Sequence, residues 1–389
     1  MCSSTGLQIL TATILWEVWE RTHSALALGY CGVARALPVI AFAIFAGHFA
    51  DHHNRKRIVA ATQFLFAIGA LAFAAAAWWS VRIEWLYVLL FLSGTIRAFN
   101  GPARASLLPL IVPVERFENA VAWNSTFFQA AAIAGPLIAG GMIAATGSVV
   151  WNYIGVAALT MIFSVTIGLV EPRDEAQSTA RFSMHELMEG VRHIWREKLI
   201  LGVISLDMLA VLLGGATALL PLYADEILHT GPVGYGFLRA APFIGAFLCA
   251  VWMAHRPPLQ RAGPTLLWCV AGFGACMIVF GVSTSMVVSS VALIMSGALD
   301  NVSVIVRHVL VQTRTPNRLR GRVTGVNSMF IESSNELGAF ESGLVAAWIG
   351  PVLSVVTGGV GTLVVVGAVA WRIPQLRRLG RMVGGEGDR

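Results

Sequence analysis

Apolar residues in this chain come in long runs, most of them about 20 residues, separated by short polar links. The runs are apolar on nearly all sides, whereas a helix at the surface of a soluble core keeps a polar stripe. At about 1.5 Å of rise per helical residue, each run matches the hydrocarbon thickness of a bilayer. The pattern predicts twelve helical spans, at residues 3–19, 25–47, 58–79, 85–108, 119–145, 149–170, 198–222, 233–254, 264–283, 287–312, 322–349 and 352–371. A polar link at 171–197 divides them six and six. The expected fold class is an all-α polytopic membrane protein. Residues 1–170 form one six-helix bundle, 171–197 a cytoplasmic linker, 198–371 a second six-helix bundle and 372–389 a basic tail. The first span has almost nothing ahead of it, so a truncated first helix is expected.

Composition agrees. Of 389 residues, 56% are hydrophobic and 12% charged, with a mean hydropathy of +0.72. Soluble domains carry about 25% charged residues. The net charge of +6 does not point to nucleic acid, because the basic residues sit in the links. Alternate links and the C-terminal tail, together with Arg104, Lys198 and Arg322 at the adjoining span ends, hold 21 of the 27 Lys and Arg, and the links on the other side hold two, Arg21 and Arg82. The positive-inside rule then places both termini and the 171–197 link in the cytoplasm. The 12 Trp fall near span ends, as in an interfacial belt. Within the linker, Ser183 and Glu186 form a capping-box pattern. Leu187, Val191, Ile194 and Trp195 follow at helical spacing, which predicts a surface helix at the inner leaflet. The five Cys show no CxxC pair and no metal spacing, so no metal or cofactor is expected.

The candidate chemistry lies in charges that fall inside spans. An ionisable group at the bilayer centre costs roughly 2.5–3.5 kcal/mol on insertion scales. Glu17, Arg35, Arg97, Asp207, Arg239, Asp300, Arg307, Glu332, Glu336 and Glu341 all do so. Asp300 and Arg307 are seven residues apart and share a helix face. Glu332 and Glu336 are four apart, with Asn335 close to the same face. Asp207 and Asp300, near mid-depth, are the leading proton carriers. Glu332 and Glu336 are the expected partners of Arg307. Arg97 would drive the proton off or neutralise an empty site, and Arg239 completes the candidate proton and substrate pathway. The chain lacks G-x-x-x-x-G-K-[ST], so ATP does not drive it, and lacks G-x-S-x-G and H-E-x-x-H, so hydrolase chemistry is not expected.

The stretch GHFADHHNRKR at 47–57, between the second and third spans, resembles the signature of the major facilitator superfamily. Gly47, Asp51, Arg55 and Lys56 stand at matching positions, while Phe49, His52 and Asn54 replace the usual Leu, Arg and Gly. Arg97–Gly101 resembles the family's R-x-x-Q-G motif, with Asn100 for Gln. Gly135, Pro136 and Gly140 resemble the antiporter signature G-P-x-x-G-G, with Ala139 for the first Gly. Residues 205–228 and 327–343 look like the branch that holds the bacterial enterobactin exporter and related effluxers. The resemblance implies two six-helix bundles that alternate in access, with spans 1, 4, 7 and 10 along the central path. Asp51 and Arg55 would form a cytoplasmic latch, and Gly47 a close helix contact. It further implies proton antiport of a small organic molecule, siderophore-like or lipophilic and drug-like, by a monomer in the bacterial inner membrane. The partners are the substrate, protons and the lipid bilayer. Uptake by proton symport is the alternative, and a non-transporting sensor on the same fold a more distant one.

The basic bias generates a direct test. A reporter fused after residue 185 or at the C-terminus is expected to read cytoplasmic, and one in the 225–231 link external. An external C-terminus would overturn the six-plus-six scheme.

Overall fold

The computed structural model describes residues 1–170, 184–256 and 260–380; the side chains at 43, 44, 48, 50, 51, 114, 184–187, 190 and 317 are also outside the description. The described residues fold into helices and connecting turns: α1 Cys2–Thr22, α2 Ala25–His52, α3 Arg55–Trp78, α4 Ile83–Ile111, α5 Phe117–Thr146, α6 Val150–Leu169, α7 Met184–Arg196, α8 Lys198–Gly214, α9 Gly231–Ala254, α10 Ala262–Val282, α11 Met286–Arg314, α12 Arg320–Ile349, α13 Pro351–Arg372 and the short α14 Pro374–Arg378. Each predicted span coincides with a helix, usually extended by a turn. Span seven is the exception. After α8 the backbone passes through 3-10 geometry at Ala216–Leu219, one α turn at Leu220–Leu222 and a π turn at Tyr223–Ile227. Its polar groups are met by neighbours. Ser342 Oγ donates to the Gly215 carbonyl at 3.3 Å, and Thr362 Oγ1 donates to that of Ala210 at 3.3 Å. Irregular backbone at membrane depth survives only where protein satisfies it.

Nine helical segments among the described residues are long and apolar enough to cross a membrane. The three predicted spans outside that set, α1, α4 and α12, carry polar groups along their length: Gln8 and Glu17, Arg97 and Asn100, Glu332 and Glu336.

The chain divides into two compact units. The first holds residues 1–182 and 221–240. In it α2 packs on α4, α3 on α4 and α6, and α1 on α5 and α6. Phe73 stacks on Tyr153 with ring centroids 5.4 Å apart, and Ile58, Val59, Ala103, Leu107 and Ile167 bury together. Residues 221–240 join this unit through α1. Tyr235 donates its hydroxyl to the Ala12 carbonyl at 2.9 Å, and Trp19 Nε1 donates to Asp225 Oδ2 at 3.0 Å. Trp16 lies against Tyr235, and Trp16 and Trp19 are buried. These two therefore leave the expected interfacial belt, because their indoles hold α1 in place; the other ten Trp are exposed.

The second unit holds residues 183–220 and 241–389. Here α10 packs on α11 and α13, and α8 on α12 and α13. The linker helix α7 docks on α12 and α8. Ile194 is buried with Ile200, Ile204, Val311, Leu319, Val323 and Val326. Trp195 points the other way and is exposed, so it does not share the buried face with Ile194 as the spacing suggested. The capping box lies outside the described residues at Ser183, and so does the Glu186 side chain. Glu189 accepts from Arg318 at 3.1 Å and from Arg322, tying α7 to the start of α12.

Glu189→Gln is expected to leave the protein folded but loosen α7. Partly exposed pairs of this kind contribute about 1 kcal/mol or less. Amide exchange in α7 should rise by up to about fivefold, with little change in α8, as read by hydrogen–deuterium exchange.

Candidate functional site

In the second unit Asp207 of α8 forms an ion pair with Arg307 of α11, and both side chains are buried. The pair replaces the expected one. Arg307 is held by Asp207, not by Glu332 or Glu336, because α8 lies against α11 at this depth. Burying either charge alone would be prohibitive in low dielectric, and two opposite charges in contact offset that cost. Asp300, two helical turns before Arg307, is partly buried and has no ion-pair or hydrogen-bond partner among the described residues. The second unit therefore presents one compensated carboxylate, Asp207 on α8, and one uncompensated carboxylate, Asp300, two turns along α11 from Arg307. Asn335 donates to its own helix at the Ile331 carbonyl, 2.8 Å away, so its amide is partly spent. Glu332 and Glu336 sit one turn apart on α12, and each engages a partner.

The first unit holds a different arrangement. Gly94 of α4 faces the backbone of α2. A Cβ at Gly94 would come 2.6 Å from Pro38 Cγ and 3.0 Å from the Arg35 carbonyl oxygen. The lack of a side chain lets the two helices touch, and Arg97, one turn further along α4, shares a cavity with Arg35. Asn100 is buried and donates to Thr62 Oγ1 at 2.6 Å, so the Asn of the R-x-x-Q-G-like motif fastens α4 to α3. Arg239 lies in residues 221–240, with its guanidinium against the Tyr235 hydroxyl. Arg97 and Arg239 are thus in one unit and Asp207, Asp300, Arg307, Glu332 and Glu336 in the other.

The antiporter-like segment is a packing hub. A Cβ at Gly135 would meet Gln8 Cβ at 2.5 Å and Ile9 N at 3.3 Å on α1. One at Gly140 would collide with the Pro232 carbonyl and sit 3.2 Å from Gly236 Cα. Asn152 of α6 donates to the Ala139 carbonyl and to Thr13 Oγ1, both at 3.0 Å. Gly135, Pro136 and Gly140 thus let α5 touch α1 and the first turns of α9.

The 47–57 stretch behaves differently. No described atom lies within 4 Å of a Cβ built at Gly47, so the close contact expected there is absent among the described residues. Asp51, the acid of the expected latch, lies outside the described side chains. Arg55 and Lys56 open α3. Asn54 accepts from the Arg57 N–H at 2.9 Å and so caps that helix, which gives the residue replacing the family's Gly a local role. Phe49 stacks on His53 at 4.0 Å.

One buried site escaped the candidate pathway. Glu17 is fully buried at the end of α1. It accepts from the Tyr153 hydroxyl and pairs with Arg21 at 2.6 Å. Arg21 also donates to the Val81 carbonyl at 3.0 Å. The i,i+4 spacing of Glu17 and Arg21 was a visible signal; the hydroxyl of Tyr153, 136 residues away, was not.

The family profile described as Major Facilitator Superfamily matches residues 1–339. The chain belongs to the major facilitator superfamily. It is a multi-pass membrane transporter, not an enzyme. The enterobactin exporter EntS of Escherichia coli O1:K1 / APEC and that of Shigella boydii serotype 18 are each 24% identical over 377 residues, spanning 97% of this chain and 90% of the relative. Among solved structures, the D-xylose-proton symporter superposes with a TM-score of 0.72 at 13% identity, over 97% of this chain and 98% of that one. A bacterial homologue of the human lysosomal transporter Spinster gives 0.73 at 13% identity, over 99% and 96%. These structures bear on the fold alone. The glycines of the Gly-Pro segment stand where α5 meets backbone.

Breaking the buried pair gives a clear expectation. Asp207→Asn leaves Arg307 uncompensated, at a cost of about 3–5 kcal/mol. Asp207→Asn combined with Arg307→Gln is expected to recover most of that loss. Thermal denaturation of the purified single and double variants checks it; a double variant no more stable than the single would show that the pair is not the stabilising unit.

Proposed function

We propose that this transporter exports a small organic molecule, siderophore-like or lipophilic, by proton antiport with alternating access. The observation that carries the reading is the uncompensated Asp300 two turns from the compensated Asp207–Arg307 pair. A carboxylate in low dielectric without a counter-charge binds a proton readily and sheds it when the surroundings become wetter. Asp300 is then the leading carrier. Asp207 takes a proton only by releasing Arg307, which would link protonation to a shift of α8 against α11. No nucleotide motif is present, so the energy comes from an ion gradient. One charge crossing 100 mV yields about 2.3 kcal/mol, enough for roughly a 50-fold gradient. Similarity to enterobactin exporters over 97% of the chain supports export, as does the antiporter-like Gly135–Gly140 segment. The cytoplasmic placement of both termini and the Asp51–Arg55 latch belong to the same proposal.

Comparing metabolites in medium and cytosol, with and without the protein, identifies the exported compound. In energised inside-out vesicles that compound should accumulate in the lumen, and an uncoupler should abolish accumulation. Asp300→Asn should permit exchange of labelled substrate but block pumping. Accumulation that resists the uncoupler, or an Asp300→Asn protein that pumps normally, would overturn proton antiport.

A further inference from the structure

Helix α7 leads into α8 with a single residue, Glu197, between them. The segment that follows, Lys198–Ile227, is one of those long and apolar enough to cross a membrane. Val191 and Ile194 pack on the ends of three long helices, through Ile200 of α8, Val311 of α11 and Val323 of α12. A helix fixed to the ends of membrane-crossing segments lies at the depth of the lipid headgroups, where the hydrocarbon gives way to the polar region.

The outward side of α7 is a second face. Met188, Arg192, Trp195 and Arg196 recur at i, i+4, i+7 and i+8 and so share it. All four are exposed, Met188 to 54% and Trp195 to 68%. Beside it runs the turn from α11 to α12, residues 312–322, which holds Arg314, Arg318, Arg320 and Arg322 and no acid. Glu189 joins the two segments by accepting from Arg318 at 3.1 Å and from Arg322. Arg322 is mostly covered, while the Arg318 side chain is 69% exposed. Arg320 gives its Nε–H to the Gln312 carbonyl at 3.0 Å and keeps its other N–H groups for further acceptors. Arg192, Arg196 and Arg314 have no partner among the described residues. Against them stand Glu189 and Glu197, so positive charge is in excess and part of it is uncompensated.

We propose that this face binds anionic phospholipid of the surrounding bilayer, with headgroup phosphates held by Arg192, Arg196 and Arg318 and the Trp195 indole set among the headgroups. A guanidinium grips a phosphate through two parallel hydrogen bonds. Several arginines on an amphipathic helix beside a span end concentrate anionic lipid. The interleaving of Met188 and Trp195 with arginine favours lipid over an acidic protein, because lipid at this depth supplies both an anion and an apolar neighbour, and indole favours the membrane–water boundary. Arg318 turns from Glu189 to the lipid without undocking α7, because Arg322 keeps Glu189. The surface requires only that the chain crosses a membrane. It depends on neither the direction nor the driving force of transport, so its failure leaves the antiport reading untouched.

A helix of 13 residues is marginal by itself in water, so amide exchange in α7 reads what holds it. The test places the full-length protein in nanodiscs of phosphatidylcholine alone, or with about a third of it replaced by phosphatidylglycerol, and follows hydrogen–deuterium exchange at low salt. Exchange in α7 is expected to be about tenfold slower in the anionic discs. Salt at about 0.5 M should remove the difference by screening. Arg192→Gln with Arg196→Gln should abolish the difference and leave exchange in phosphatidylcholine unchanged, since both side chains are exposed. Arg377→Gln with Arg378→Gln takes the same charge from exposed positions of α14 and should preserve the difference. No response to lipid charge, a response that survives Arg192→Gln with Arg196→Gln, or one that the α14 variant abolishes equally would overturn the proposal. So would stronger protection by soluble polyglutamate in phosphatidylcholine discs than by phosphatidylglycerol, which would assign the face to an acidic protein.

Discussion

Every backbone N–H and C=O in a bilayer must find its partner inside the protein, and the rest of this structure follows from that constraint. It makes each span a helix. It also decides where a span can stop being one. Residues 215–227 leave regular α geometry at the end of α8, and Ser342 of α12 donates to the carbonyl at the break. With little hydrophobic drive between helices in lipid, close packing must hold them together, so small residues mark the closest approaches. Gly94, Gly135 and Gly140 each stand where a neighbouring chain would meet a Cβ.

The same low dielectric governs the charges. Asp207 and Arg307 persist in the interior because each compensates the other. Glu17 persists because Tyr153 and Arg21 surround it, and Arg21 in turn meets the carbonyls that close α3. Such groups cost too much to be incidental. The structure thus separates in-span acids paired with a cation, Asp207 and Glu17, from Asp300, which has no such partner among the described residues. It also gathers cationic side chains on the inner walls of one unit and most in-span carboxylates in the other.

The linker helix is built differently from the spans. α7 buries one apolar side chain, Ile194, in a cluster drawn from α8, α11 and α12, and pins its polar side through Glu189. Trp195 and Arg196 remain on the exposed side. α7 thus packs one apolar side on the protein and leaves Trp195 exposed beside Arg196.

Hydropathy alone determined that the chain is helical and membrane-spanning, because a 20-residue apolar run has few stable alternatives in lipid; of the twelve spans it predicted, nine match helical segments long and apolar enough to cross a membrane among the described residues. The family was legible in Asp51, Arg55, Lys56, Gly135 and Pro136, since short motifs are written along the chain. Spacing along one helix also showed that Asp300 shares a face with Arg307 and that Glu17 lies one turn from Arg21. Which helix each of those faces meets was not written there. Arg307 pairs with Asp207, a hundred residues earlier, and Arg35 and Arg97 border one cavity beside Gly94, where α4 touches the backbone of α2; both depend on the rotation and depth of two helices against each other. Gly47, a motif residue, has nothing within 4 Å of a built Cβ among the described residues, while Gly94, outside any motif, sets a contact. Local periodicity fixes what each segment becomes, but pairing between distant segments is chosen by packing and charge compensation summed over the whole bundle, and only the tertiary structure holds that sum.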